Sequence, residues 1–173
     1  MSSRNSQAGA QSDAVIRDVG QADWPQVSAI FNHYIAESFA AYIEQPVADD
    51  FFRDRQSAHA EFPFLAAEVS GTVVGFAFLA PFHPAPTMKH SATLTYFIHP
   101  DHTGRGLGGR FLDILIERGR SLGITNFLAH ISSRNPGSLN FHLRHGFSEC
   151  GRMAEVGVKK GQPFDMVWVQ RRF

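Results

Sequence analysis

Residues 91–109 read SATLTYFIHPDHTGRGLGG, and this stretch decides the architecture. Its first nine residues, SATLTYFIH, are β-branched and aromatic and predict a strand closed by Pro100. Residues 110–122 predict a helix. Between them lies Thr103-Gly104-Arg105-Gly106-Leu107-Gly108-Gly109, a glycine-rich turn from strand to helix. Strand–turn–helix context is what gives a short glycine motif weight. Glycines let a backbone pass close to a ligand. The first helical turn has N–H groups without partners and sits at the positive end of the dipole. Such a place binds phosphate, here the pyrophosphate of a coenzyme. The same residues also satisfy a plain tight turn. Arg105 and Arg110 either add charge for a phosphate or are simply solvated.

Upstream, residues 1–13 are small and polar without periodicity, and predict a disordered tail. Residues 14–19 (AVIRDV) predict a short strand. Asp23 is placed to cap a helix with Pro25 in its first turn. Trp24, Val27, Ile30, Phe31, Tyr34 and Ile35 then recur at helical spacing. Residues 37–46 lack a period and predict a loop of the kind that lines pockets. Asp49 or Asp50 caps a second helix to about His59. Residues 64–69 and 72–79 around Ser70-Gly71 predict a hairpin.

Downstream, Phe111, Leu112, Leu115 and Leu122 share one side of the helix, which Gly123 ends. Residues 126–131 (NFLAHI) form an apolar run that suits a central strand. Asn135 and Pro136 open another helix, stopped by Gly146. Residues 147–158 and 164–170 predict the last strands. The order β-α-α-β-β-β-α-β-α-β-β predicts an α/β (α+β) mixed sheet of about seven strands with helices on both faces. One domain, residues 14–173, accommodates it.

Lys plus Arg and Asp plus Glu are 16 each, so the net charge is zero. That gives no global attraction to nucleic acid or an anionic membrane. No apolar run approaches the roughly 20 residues of a membrane span. The start, MSSRNSQAGAQSD, lacks the apolar core of a secretory signal, and the expected location is cytoplasmic. The single Cys150 excludes an internal disulfide and reads as buried filler in a strand. The nine histidines show no ligand spacing with carboxylates or Cys, so no metal is expected.

The element order and the turn at 103–108 resemble the acetyl-CoA-dependent N-acetyltransferases of the GNAT superfamily, whose turn reads Gln/Arg-x-x-Gly-x-Gly/Ala. Thr103 departs from the first position. A second segment is similar at family spacing: Asn135-Pro136-Gly137-Ser138, then Phe141-His142, then Gly146-Phe147. Residues 30–35 (IFNHYI), 64–75 (FLAAEVSGTVVG) and 161–168 (GQPFDMVW) further resemble the phosphinothricin N-acetyltransferase subgroup, which acetylates amino-acid-like amines. In that subgroup the strand before the turn carries a carboxylate, and the matching position is Thr93. The subgroup's Asn-Phe pair after the first helix falls at Ala41-Tyr42.

The resemblance implies acetyl transfer from acetyl-CoA to the amine of a small acceptor, directly in a ternary complex. It implies that the strand backbone at Tyr96, Phe97 and Ile98 pairs with the pantetheine arm, which requires neighbouring strands to splay. It implies coenzyme contacts at Gly104, Arg105, Gly106, Leu107, Gly108 and Gly109, and at Asn135, Ser138, Phe141 and His142. Asn135 is also explained as a helix cap alone. His142 stands where many relatives place a Tyr that protonates the thiolate. It is either a general acid or a helix residue packed against the coenzyme. The general base is unassigned among Glu37, His83 and His90, or absent if the amine binds neutral. A homodimer is implied too, with the apolar C-terminal strands contributing. Two other functions fit the same motifs: acetylation of a protein N-terminus or lysine, favoured by an open acidic groove, and a non-catalytic coenzyme-A-binding module.

Overall fold

A computed structural model describes residues 13–173; the expected tail falls outside them except for Asp13. Seven strands form one sheet: β1 (Val15–Asp18), β2 (Phe64–Val69), β3 (Thr72–Pro81), β4 (Ser91–Ile98), β5 (Asn126–Ser132), β6 (Ser148–Lys159) and β7 (Gln162–Arg172). The helices are α1 (Trp24–Glu37), α2 (Phe51–Ala58), α3 (Leu107–Ser121) and α4 (Pro136–Arg144). The chain order is the expected one. The sheet order is β1-β2-β3-β4-β5-β7-β6, and only β4 and β5 run parallel.

Two hairpins frame the sheet, and both use two-residue turns with positive φ at both positions. These are Ser70-Gly71 between β2 and β3, and Lys160-Gly161 between β6 and β7. That turn matches the twist of the strands it joins. Alternation along the strands then separates two cores. Leu94, Phe127, Ala129 and Ile131 face Phe111, Leu112 and Leu115 of α3. On the other face Phe76, Phe78 and Phe64 meet Val27, Ile30 and Phe31 of α1 and Phe52 of α2. Helices therefore cover both faces, as predicted.

Several local expectations change. Helix α3 starts at Leu107 rather than Arg110, so Gly108 and Gly109 belong to its first turn and Gly106, at φ +78°, precedes it. Asp23 and Asp50 stand at helix N-caps, yet neither side chain accepts a capping bond from the backbone of the helix it precedes. Asp23 instead accepts from the Gly20 N–H at 2.6 Å and pairs with Arg17 at 2.6 Å. Leu122 caps α3 and is exposed rather than packed. Cys150 is exposed, because β6 is an edge strand open along most of its length.

Candidate active site

The site begins as a missing seam. Strands β4 and β5 pair at Ser91–Asn126, Ala92–Phe127 and Thr93–Leu128, and there the pairing stops. Strand β4 continues to Ile98 and β5 to Ser132. Five residues of β4 are thus left unpaired on that side, roughly 16 Å of backbone at the rise of a strand. The splay opens toward the glycine turn that follows β4. The sequence could not show it, because pairing is a property of two strands and not of either one.

Alternation fixes which backbone groups face the gap. The His99 N–H bonds the Val74 carbonyl on β3 at 2.8 Å, so the odd-numbered residues of β4 turn their peptide groups to β3. Leu94, Tyr96 and Ile98 turn theirs to the gap. The Ile98 carbonyl already accepts from the Tyr34 hydroxyl at 2.6 Å. Phe97 therefore offers the gap no backbone group; its ring packs on Phe31 and Phe76 instead.

A cavity of about 940 Å³ fills the splay and crosses the sheet. Tyr96, Phe97, Ile98, Gly104, Gly106, Gly108, Gly109, Asn135, Ser138, Phe141 and His142 all line it. Two predicted residues do not. Leu107 is buried in the core at 1% exposure, and Arg105 is exposed outside the cavity. Gly108 has a physical reason to be glycine, since a Cβ would sit 3.3 Å from the Phe141 ring. Asn135 caps α4 by accepting from the Ser138 N–H at 3.2 Å while also lining the cavity, so its two readings hold together.

His142 is 2% exposed and bonded at both nitrogens. Nδ1 lies 2.8 Å from the Ser138 carbonyl, which can only accept, so Nδ1 carries the proton. Nε2 is then bare and accepts the Tyr96 hydroxyl at 2.9 Å. Burial pushes the imidazole pKa down to about 4 against the opposing Ser138 hydrogen bond, with the nearby His145 adding to the fall. At neutral pH this ring is uncharged, and its one proton points at a carbonyl. Desolvation likewise raises the Tyr96 phenol.

The opposite wall is aromatic. Phe31, Phe51, Phe52 and Tyr42 line it together with Arg55 and His130. The loop after α1 contributes Ala40, Ala41, Tyr42 and Ile43, as its sequence predicted. Lys159, 1% exposed, fixes that loop by donating to the carbonyls of Ser38 at 2.7 Å and Ala41 at 2.6 Å. Among the described residues, no Asp or Glu lines the cavity. Glu37, His83 and His90 are exposed and none of them reaches it. Thr93 opens onto a smaller adjoining cleft of about 460 Å³, its hydroxyl donating to the Ala80 carbonyl at 3.4 Å. His130 was missed because NFLAHI reads as one apolar run. The available signal was a polar residue in the middle of it.

A splayed parallel pair with a glycine turn at its open end has a family counterpart. Residues 27–147 match the Acetyltransferase (GNAT) family. The chain belongs to that family. It is 34% identical to the L-methionine sulfoximine/L-methionine sulfone acetyltransferase of Pseudomonas aeruginosa, over 91% of this chain and 93% of that one. Its structure is similar to ribosomal-protein-alanine N-acetyltransferase from Brucella melitensis, at TM-score 0.85 and 31% identity, covering 92% and 99% of the two chains. It is also similar to the phosphinothricin acetyltransferase from Sinorhizobium meliloti in complex with acetyl-CoA, at TM-score 0.88 and 25% identity, covering 94% and 89%. The enzyme is thus an acetyltransferase with a seven-stranded GNAT fold.

Proposed function

We propose that the protein, acting in the cytoplasm, moves an acetyl group from acetyl-CoA to the primary amine of a small amino-acid-like acceptor. The splay of β4 from β5 above residues 104–109 carries the reading. N–H groups of the glycine turn and of Leu107, Gly108 and Gly109 at the start of α3 hold the pyrophosphate. Leu94 and Tyr96 offer backbone groups to the pantetheine arm, which enters the gap like an added strand. The thioester then lies where the strands rejoin, and the amine arrives from the aromatic wall. Attack is direct, because both reactants share one cavity. His142 holds Tyr96 in place by accepting its hydroxyl at 2.9 Å.

The cavity wall bears on the acceptor. A groove for protein termini or lysines would be open and acidic. This cavity has no carboxylate in its lining and is closed on one side by the pinned loop. That favours a small acceptor over the ribosomal-protein substrate in the name of the Brucella relative. The exposed Met153, Val156 and Val158 on the β6 edge form the surface for a homodimer. Sedimentation at micromolar concentration tests it.

The functional test is calorimetry with acetyl-CoA followed by an acetylation panel. The panel holds L-methionine sulfone, L-methionine sulfoximine, phosphinothricin and a peptide with N-terminal alanine. Binding with turnover of a small amine is expected. No heat from acetyl-CoA overturns the reading, and turnover of the peptide alone replaces the acceptor class.

A further inference from the structure

The family's usual carboxylate position holds Thr93, so the proton of the acceptor ammonium needs another destination. The geometry points to His130 as the catalytic base, held by Tyr42. This inference rests on the acetyl-transfer reading and adds the group that makes the amine reactive.

Four observations carry it. First, His130 is the one exposed residue of β5, whose other members are buried or half-buried. A polar side chain exposed within a central strand marks an opening in the sheet. Second, it lies two residues past Leu128, the last residue of β5 paired with β4. It therefore sits where the strands diverge, at the inner end of the gap. Third, Ala129 and Ile131 face α3, so His130 faces the aromatic wall from which the amine must come. Fourth, among the described residues no carboxylate lines the cavity, and the loop residues Glu37, His83 and His90 do not reach it.

The imidazole is held on two sides. Its ring centroid is 5.4 Å from that of Tyr42 and 5.1 Å from that of Trp168. Nδ1 lies 3.3 Å from the Tyr42 hydroxyl. With the Nδ1 proton donated to Tyr42, Nε2 is left with a free lone pair. The Tyr42 phenol, pushed up to about 12 by burial, stays protonated at working pH. The groups that act on His130 are Tyr42 from the loop, Arg55 from α2 and the uncharged Trp168 from β7. Although the ring is open to the cavity, desolvation by the surrounding walls, and then the Arg55 charge, lowers the imidazole pKa below its ordinary value, which favours the neutral, proton-accepting ring.

The step balances as follows. One ammonium proton passes to Nε2 and from there to water. The freed nitrogen attacks the acetyl carbonyl, the C–N bond forms and the C–S bond breaks. A second proton leaves the tetrahedral nitrogen for the thiolate, and the third stays on the amide.

The test uses His130→Ala and His130→Gln with the best primary alkylamine of the acetylation panel. The unsubstituted enzyme should show kcat/KM level from about pH 6.5 upward. Both variants should fall on the order of 100-fold near pH 7. Their deficit should then shrink as pH rises toward the amine's own pKa, because they depend on amine that is already neutral. Calorimetric affinity for acetyl-CoA should stay within about twofold of the unsubstituted value, inside the range that needs no lost contact. A uniform deficit at every pH marks a structural role and overturns the proposal, as does unchanged activity. If the unsubstituted protein binds no acetyl-CoA or acetylates no amine, the functional reading fails first, and this inference falls with it.

Discussion

Two tyrosine–histidine pairs face one cavity from opposite walls, and they are wired in opposite ways. On the coenzyme wall, His142 spends both nitrogens, one on the Ser138 carbonyl and one on the Tyr96 hydroxyl. On the acceptor wall, His130 has one nitrogen on Tyr42 and a ring open to the cavity. The same two residue types thus make a structural strut in one place and a chemical group in the other. What the second imidazole nitrogen finds decides between them. Stability and turnover should separate accordingly. His142→Ala leaves a buried void and an unpaired Tyr96 hydroxyl, and should lower unfolding free energy by about 3 kcal/mol in urea. His130→Ala should cost less than about 1 kcal/mol. Equal losses would erase the distinction.

Acid should strike the same strut. His142 has a folded pKa of about 4, below its ordinary value of 6.5. Between those pH values the unfolded chain takes the proton and the folded chain resists it. Its contribution is complete above pH 6.5 and is lost as pH falls toward 4, by roughly 3 kcal/mol. Asp23 acts in a lower window. Arg17 holds its carboxyl below the ordinary 3.8, so its contribution is intact above that value. Urea midpoints from pH 7 to 4 should therefore decline, and His142→Gln should flatten the decline. An equally steep decline in that variant would place the acid sensitivity elsewhere.

The two walls also differ in how far the sequence revealed them. The coenzyme wall is local: the turn at 104–109 and the segment from Asn135 to Phe147 each carry their own backbone demands. Glycines at positive φ and an Asn cap have few substitutes, so they leave a readable pattern. The element order was equally legible, because period and turn chemistry agree along the chain. The acceptor wall is assembled from the loop after α1, from α2, from β4 and from β5, with no spacing in common. His130 lay inside a run that its buried neighbours made look uniform. The start of α3 was misjudged for a related reason. Helical periodicity is carried by side chains, and Gly108 and Gly109 have none.

Gly106→Val tests the coenzyme wall by itself. Nothing lies within 4 Å of where its Cβ would stand, so space is not the obstacle. The obstacle is φ +78°, which a β-branched residue adopts only at a cost of about 1–3 kcal/mol. The turn should relax, and affinity for acetyl-CoA should weaken about 10-fold by calorimetry. The pH dependence assigned to His130 should keep its shape. A changed shape would mean that the two walls are coupled through the turn.

The smallest effect should come from the acceptor wall's anchor. Lys159 brings a charge into the protein interior, and burial pulls its pKa down, so something must compensate that placement. Two carbonyls of the loop after α1 do so, and that loop carries Tyr42. Lys159→Met keeps the length and the apolar stem while removing the donors. The Ser38 and Ala41 carbonyls would turn toward water, and the loop would lose its fixed position above the cavity. Because Tyr42 rides on it, acceptor KM should rise a few-fold. Acetyl-CoA affinity should not move, since the anchor's two bonds both go to the loop after α1. The split is the informative result: were both affinities to weaken together, Lys159 would be supporting the fold at large, and Tyr42 would owe its position to the aromatic packing with Phe164 rather than to this ammonium.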